Sequence, residues 1–276
     1  MKISLAHSPD SDDAFMFYGL ASGLVSADGL EIQHTLTDIE TLNRHAMEGR
    51  HEVTAISFAA YPYLTDIYAL MPCGGSIGDG YGPLLVARQV MPLSEIASRE
   101  VAVPGLLTSA CLALKVFAPG VRTRVVPFDR ILDEVGAGRA DVGLIIHEGQ
   151  LTYAGQGLVK LLDLGAWWKR ETGLPLPLGG NAVRRDLGNE MMARLTRLVR
   201  ETVKFSLTHR QDALAHAMRF ARGMEAAIAD RFVGMWVNEM TVDCGEVGRR
   251  AVQALLDRGH AAGVIPKRVL ADFVDA

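Results

Sequence analysis

Short apolar runs rich in Val, Ile and Leu recur through the first part of the chain. They alternate with stretches whose apolar residues fall three and four apart. The runs Lys2–Ala6, Leu30–Leu36, Val53–Ser57, Pro83–Arg88, Val101–Gly105, Arg124–Phe128, Val142–Ile146 and Leu158–Leu164 have the length of buried strands. Helical spacing predicts helices over Ala14–Ala21, Ile39–Glu48, Ala110–Phe117 and Arg130–Val135. Acids stand where helix N-caps belong: Asp12 or Asp13 before the first of these, Asp38 before the second and Asp129 before the last. Phe58–Tyr63 reads as a short helix broken near Pro62. Ala166–Gly180 reads as irregular, since Pro175 and Pro177 favour extended backbone. From Leu187 the pattern turns helical, over Met191–Thr208, Arg210–Arg222, Ala226–Met240, Gly245–Gly259 and Lys267–Val274.

Strands alternating with helices point to an α/β protein with parallel sheets. Two such blocks are visible, about 1–88 and 99–180, joined by extended segments near 83–88 and 178–185. A chain that crosses twice builds one lobe from both of its ends and a second lobe from its middle. The expected division is therefore lobe one from 1–88 and 185–276, lobe two from 99–180, and hinges within 83–99 and 178–185, with a cleft between the lobes.

Composition narrows the function classes. The chain has 276 residues, 49% of them hydrophobic and 22% charged, which is an ordinary globular balance. A net charge of −4 and the lack of a Lys/Arg run argue against a nucleic-acid partner. Cys73, Cys111 and Cys244 are widely spaced and form no CxxC pair, so neither a zinc site nor a disulfide framework is expected. No apolar stretch approaches a membrane span or a signal-peptide core, so a cytoplasmic location without a membrane partner is expected.

Candidate chemistry lies where strands end. In open α/β sheets, ligands sit beyond the carboxyl ends of the strands. His147 follows the run Val142–Ile146 directly, and histidine titrates near neutral pH, which makes it the candidate base. Ser57 ends another strand. Thr108 and Ser109 open a helix, where a hydroxyl caps the helix or holds an anionic group. The loop from His7 to Asp13 joins the first strand to the first helix and carries Ser8, Asp10, Asp12 and Asp13. Five glycines between Cys73 and Gly82 mark backbone passing close to something, without matching a nucleotide-binding pattern. Trp167 and Trp168 read equally as the roof of a pocket or as packing between domains.

Several segments together resemble a known family. They are Ser8-Pro9 with Asp13 and Phe15–Tyr18, Asp38–Asn43, Gly82–Arg88, Val101–Gly105, Asp129–Leu132, Gly143–Glu148, and Leu164–Trp168 with Thr172–Gly179. The resemblance is to the 1,4-dihydroxy-6-naphthoate synthases of the futalosine route to menaquinone, in the family that also holds chorismate dehydratase. It implies a type II periplasmic-binding-protein-like fold and a lyase acting on cyclic dehypoxanthinyl futalosine, a small anionic aromatic substrate, without metal or organic cofactor. The family's base falls on His147 and its ligand-holding hydroxyls on Ser57 and Thr108. Ser109, Ser8 and Asp13 are expected beside them. A non-catalytic small-molecule-binding relative and a chorismate dehydratase-type lyase are the alternatives. The first loop departs from the family's Ser-Pro-Cys-Pro-Asn-Asp-Thr: here it reads Ser8-Pro9-Asp10-Ser11-Asp12-Asp13-Ala14. Carboxylate for amide at Asp12 removes a neutral donor, and an ionised Asp12 would repel an anionic substrate group. The sequence sets no oligomeric state.

Overall fold

In the computed structural model, residues 1–221 and 225–276 are described. The strands are β1 (Lys2–His7), β2 (Glu31–Leu36), β3 (Val53–Ser57), β4 (Tyr68–Leu70), β5 (Ser76–Gly78), β6 (Leu84–Ala87), β7 (Glu100–Val103), β8 (Arg122–Val125), β9 (Val142–Ile145), β10 (Val159–Asp163) and β11 (Leu176–Arg184). They form two sheets. The first runs β2-β1-β3-β11-β4, with β5 also on β11; the second runs β10-β6-β9-β7-β8.

The most apolar runs occupy the centres. Every residue of β3 and of β9 is buried, as strands covered on both faces must be. Gly143 in β9 lets the helix Ile131–Gly136 approach, since a Cβ there would lie 2.7 Å from Ile131 Cγ2 and 2.8 Å from Val135 Cγ2. One core cluster packs β1 against the helices Asn189–Thr208 and Arg210–Ala217. A second gathers Leu85, Val101 and Leu144 of the second sheet with the helices Ser109–Phe117 and Gly245–Ala261.

The double crossing is present, but its boundaries move. β6 pairs antiparallel with both β9 and β10, so Leu84–Ala87 belongs to the second sheet, and the first crossover ends ahead of it. β11 pairs antiparallel with β3, β4 and β5, so Leu176–Gly180 belongs to the first sheet. The sheets are therefore mixed, not all parallel. Three local expectations also change. Ala166–Gly180 opens within a helix, Leu164–Thr172, because Asp163 accepts from the N–H groups of Gly165 and Ala166 at 2.9 and 3.0 Å. Lys267–Val274 is not helical. It returns to β4, where Leu70 N–H donates to Asp272 O at 2.9 Å and Val274 N–H to Leu70 O at 2.8 Å. The expected helix from Arg210 runs to Ala217, with a turn of 3-10 helix after it, and Arg222 lies outside the described residues.

Candidate active site

A cavity of about 120 Å³ lies between the lobes, at the carboxyl end of β3 and the N-terminus of the helix Ser109–Phe117. The first lobe brings Ser8, Asp10, Asp12, Asp13 and Ser57 to it; the second brings Thr108, Ser109 and Ala110. Five of the six residues expected at the site thus line one cavity. The sixth, His147, does not: its neighbour Ile146 lines the wall instead. A larger depression of about 690 Å³, edged by Asp28, Arg194, Glu201 and Lys204, sits where no strand end points at it.

The hydroxyls differ in what they have left to give. Ser57 Oγ accepts from Asn43 Nδ2 at 3.1 Å, and Ser57 N–H donates to Asn43 Oδ1 at 2.8 Å. Ser109 Oγ accepts from Ala59 N–H at 3.1 Å. Neither serine donates its own proton to any described residue, so both O–H groups remain available to a ligand. Thr108 is spent by comparison. Its hydroxyl donates to Gly105 O at 2.9 Å and accepts from Cys111 N–H at 3.2 Å, which is the N-cap bond of the helix. That cap leaves the N–H groups of Ser109 and Ala110 without intrahelical partners at the cavity wall, which suits an anion.

The first loop is organised around Ser8. Its N–H donates to Asp13 Oδ2 at 2.7 Å and its Oγ to Asp10 Oδ2 at 3.0 Å. Asp13 therefore turns back to Ser8 instead of capping the helix Ser11–Met16, and the residue at the cap position is Asp10. Burial is the first cause that pushes the Asp12 carboxyl well above the ordinary carboxylate range, with the charges of Asp13 and Asp10 adding to it. Burial likewise pushes Asp13 up to about 6, against the hydrogen bonds from Ser8. The charge expected of Asp12 from sequence is thus drawn toward the neutral acid, which can donate a hydrogen bond.

His147 is buried and held by backbone on both ring nitrogens. Gly149 N–H donates to Nδ1 at 3.0 Å, which places the ring proton on Nε2, 2.8 Å from Phe128 O. Glu148 Oε2 stands 3.8 Å from Nδ1, beyond hydrogen-bond length. Gly149 is needed for the closeness: a Cβ there would come within 2.8 Å of His147 Cε1.

The lobes also touch. Glu40 Oε2 accepts from Leu107 N–H at 3.1 Å, and the bond between Ala59 and Ser109 crosses the same boundary. The cavity at this boundary is smaller than the roughly 300–1,000 Å³ of ordinary ligand sites.

Sequence reasoning missed Asn43 and Glu40. Both are polar residues buried on a helix that also buries Leu42 and Ala46, and a polar residue on such a face was the available signal. Of the two readings open for Trp167 and Trp168, packing is the one observed. Trp168 is fully buried in the core, and Trp167 packs edge-on against Phe117, with ring centres 5.3 Å apart. The tryptophan at the cavity is Trp236.

A family model for menaquinone biosynthesis matches residues 3–261. The chain belongs to the menaquinone biosynthesis family. Two relatives are called 1,4-dihydroxy-6-naphthoate synthase. One, from Thermus thermophilus, is 42% identical over 262 residues, covering 95% of each chain. The other, from Streptomyces coelicolor, is 39% identical over 271 residues, covering 96% of this chain and 95% of its own. A crystal structure of a protein from Archaeoglobus fulgidus, 44% identical, superposes with a TM-score of 0.92 over 96% of this chain and 98% of its own. The alkanesulfonate-binding protein SsuA of Xanthomonas axonopodis shares the fold at 11% identity, with a TM-score of 0.72 over 98% of this chain and 96% of its own. This member of the family therefore has the periplasmic-binding-protein-like architecture expected from its sequence. No helix among its described residues is long and apolar enough to cross a membrane. Among those residues, no group of three or more His, Cys, Asp or Glu is placed to hold a metal ion. Its three thiols are buried, and burial raises the pKa of each.

Proposed function

We propose that the protein is a 1,4-dihydroxy-6-naphthoate synthase. It cleaves cyclic dehypoxanthinyl futalosine to 1,4-dihydroxy-6-naphthoate and a small sugar-derived fragment, with His147 as the base. The observation that carries the reading is the likeness, along nearly the whole chain, to two relatives bearing that name. The cavity supports it with donors suited to an anionic substrate. The O–H groups of Ser57 and Ser109 and the N–H groups at the start of the helix Ser109–Phe117 would hold a carboxylate or a developing enolate oxygen. Thr108 acts through the helix it caps. Removal of a hydroxyl proton starts the cleavage, the carbon–carbon bond breaks toward the enolate, and aromatisation of the product supplies the driving force. His147 takes that proton after its ring turns to the cavity and Nδ1 gives up Gly149 N–H, since here the ring does not line the cavity and its one lone pair is occupied.

The test is turnover of cyclic dehypoxanthinyl futalosine by the purified protein. Release of dihydroxynaphthoate is the expected result. Binding of the substrate without turnover would make the protein a non-catalytic relative, and turnover of chorismate instead would make it a dehydratase.

Asn43 gives a sharper check on the cavity, because it positions Ser57 through two hydrogen bonds while fully buried. Asn43→Ala is expected to lower kcat/KM about tenfold and stability by about 1–3 kcal/mol, since it strands the buried Ser57 N–H. Turnover and urea unfolding, run together, read both. Unchanged values for the two would remove Asn43 from this role.

A further inference from the structure

We propose that Trp236 contacts the substrate, its indole N–H donating a hydrogen bond to an oxygen of the bound aromatic acid. The inference rests on the reaction proposed above and adds a residue from the helical tail. Trp236 ends the helix Ala226–Trp236, far along the chain from the strand ends that carry the other candidates. It lines the same cavity as Ser57 and Ser109. It is 2% exposed, and its Nε1 has no hydrogen-bond partner among the described residues. A buried indole N–H ordinarily finds one, and an unpartnered donor on a residue that lines the cavity is what a ligand oxygen completes. Trp168 also lacks a partner for its Nε1 among the described residues but sits in the packed core.

The ring is fixed in place. Tyr81 and Phe232 meet it edge-on, with centres 5.4 and 6.4 Å away. Its carbonyl accepts from Thr241 Oγ1 at 2.8 Å, within the capping box that Asn238 and Thr241 form just after it. A donor held this way loses little freedom on binding, so its direction selects where a ligand must present an oxygen.

Trp236→Phe keeps an aromatic ring and deletes the donor. Calorimetry with 1,4-dihydroxy-6-naphthoate should show about tenfold weaker binding. The thermal midpoint of the free variant should hold or rise, because an unpaired buried donor has gone. A structural role would lower both. The protein has three tryptophans, so its 1H–15N spectrum carries three indole signals. The one absent from Trp236→Phe should be the one that moves most when the naphthoate is added to wild type. Equal affinity in the two proteins, or an unmoved Trp236 signal in a wild type that binds, would overturn the contact and leave the proposed reaction standing. A wild type that does not bind the naphthoate would overturn the reaction and this contact with it.

Discussion

His147→Ala is expected to lower turnover of cyclic dehypoxanthinyl futalosine by about 10²–10⁴-fold, the usual contribution of a positioned general base. The variant alone would not prove the chemistry. His147 also ties two backbone segments together, through Phe128 O and Gly149 N–H, and alanine removes both of these bonds. His147→Gln separates the two roles, since glutamine offers a donor and an acceptor at similar reach but cannot take a proton at neutral pH. If the ring acts as the base, the glutamine variant unfolds at nearly the wild-type temperature yet turns over as slowly as the alanine variant. Recovery of turnover by glutamine would reduce His147 to a clasp and move the search for the base elsewhere. The buried, doubly bonded ring gives this test its force, because a histidine already poised at the cavity with a free lone pair would make the outcome less informative.

How much of this was legible beforehand depended on the range of the forces involved. β9 and the position of His147 at its end follow from a local apolar run, and the Asp38 and Thr108 caps follow from local chemistry. What holds His147 does not, because Phe128 lies 19 residues away along the chain. The assignment of β6 fails for a related reason. Leu84–Ala87 is a strand in either sheet, and only its pairing with β9 and β10 decides which. The tail shows the opposite error. Lys267–Val274 has helical spacing, yet Pro266 precedes it and pairing with Leu70 draws it out into extended chain. Nothing local decides between pocket roof and packing for Trp168, and its helix, begun by Asp163, turns it into the core. Local pattern thus located most strands and several site residues, while long-range pairing decided which of them meet.

Asp12→Asn should make the protein more stable at neutral pH, because burial raises the folded-state pKa of the Asp12 carboxyl well above its ordinary value. An aspartate whose folded pKa lies above its unfolded value holds more protons in the folded state between the two. Stability therefore falls as pH rises through the ordinary value near about 4, and the loss is complete above the folded value. Asp13, pushed up to about 6, and Asp12, raised well above the ordinary range, both act in this direction. The wild type should lose stability as pH rises from the ordinary carboxylate value near about 4 through about 6. Asparagine at position 12 removes one of the two contributions. The gain should disappear in acid, where the carboxyl is protonated in both states. Thermal unfolding of the two proteins across that range reads the difference directly, at about 2–4 °C for each kcal/mol in a chain of this size class. Turnover gives a second reading. Asparagine supplies a neutral donor at every pH, so any alkaline decline in kcat/KM that comes from ionisation of Asp12 should be absent from the variant. Parallel pH profiles for stability and turnover in the two proteins would show that Asp12 is ionised and solvated in the folded state. That would restore the repulsion between this loop and an anionic substrate that burial otherwise removes.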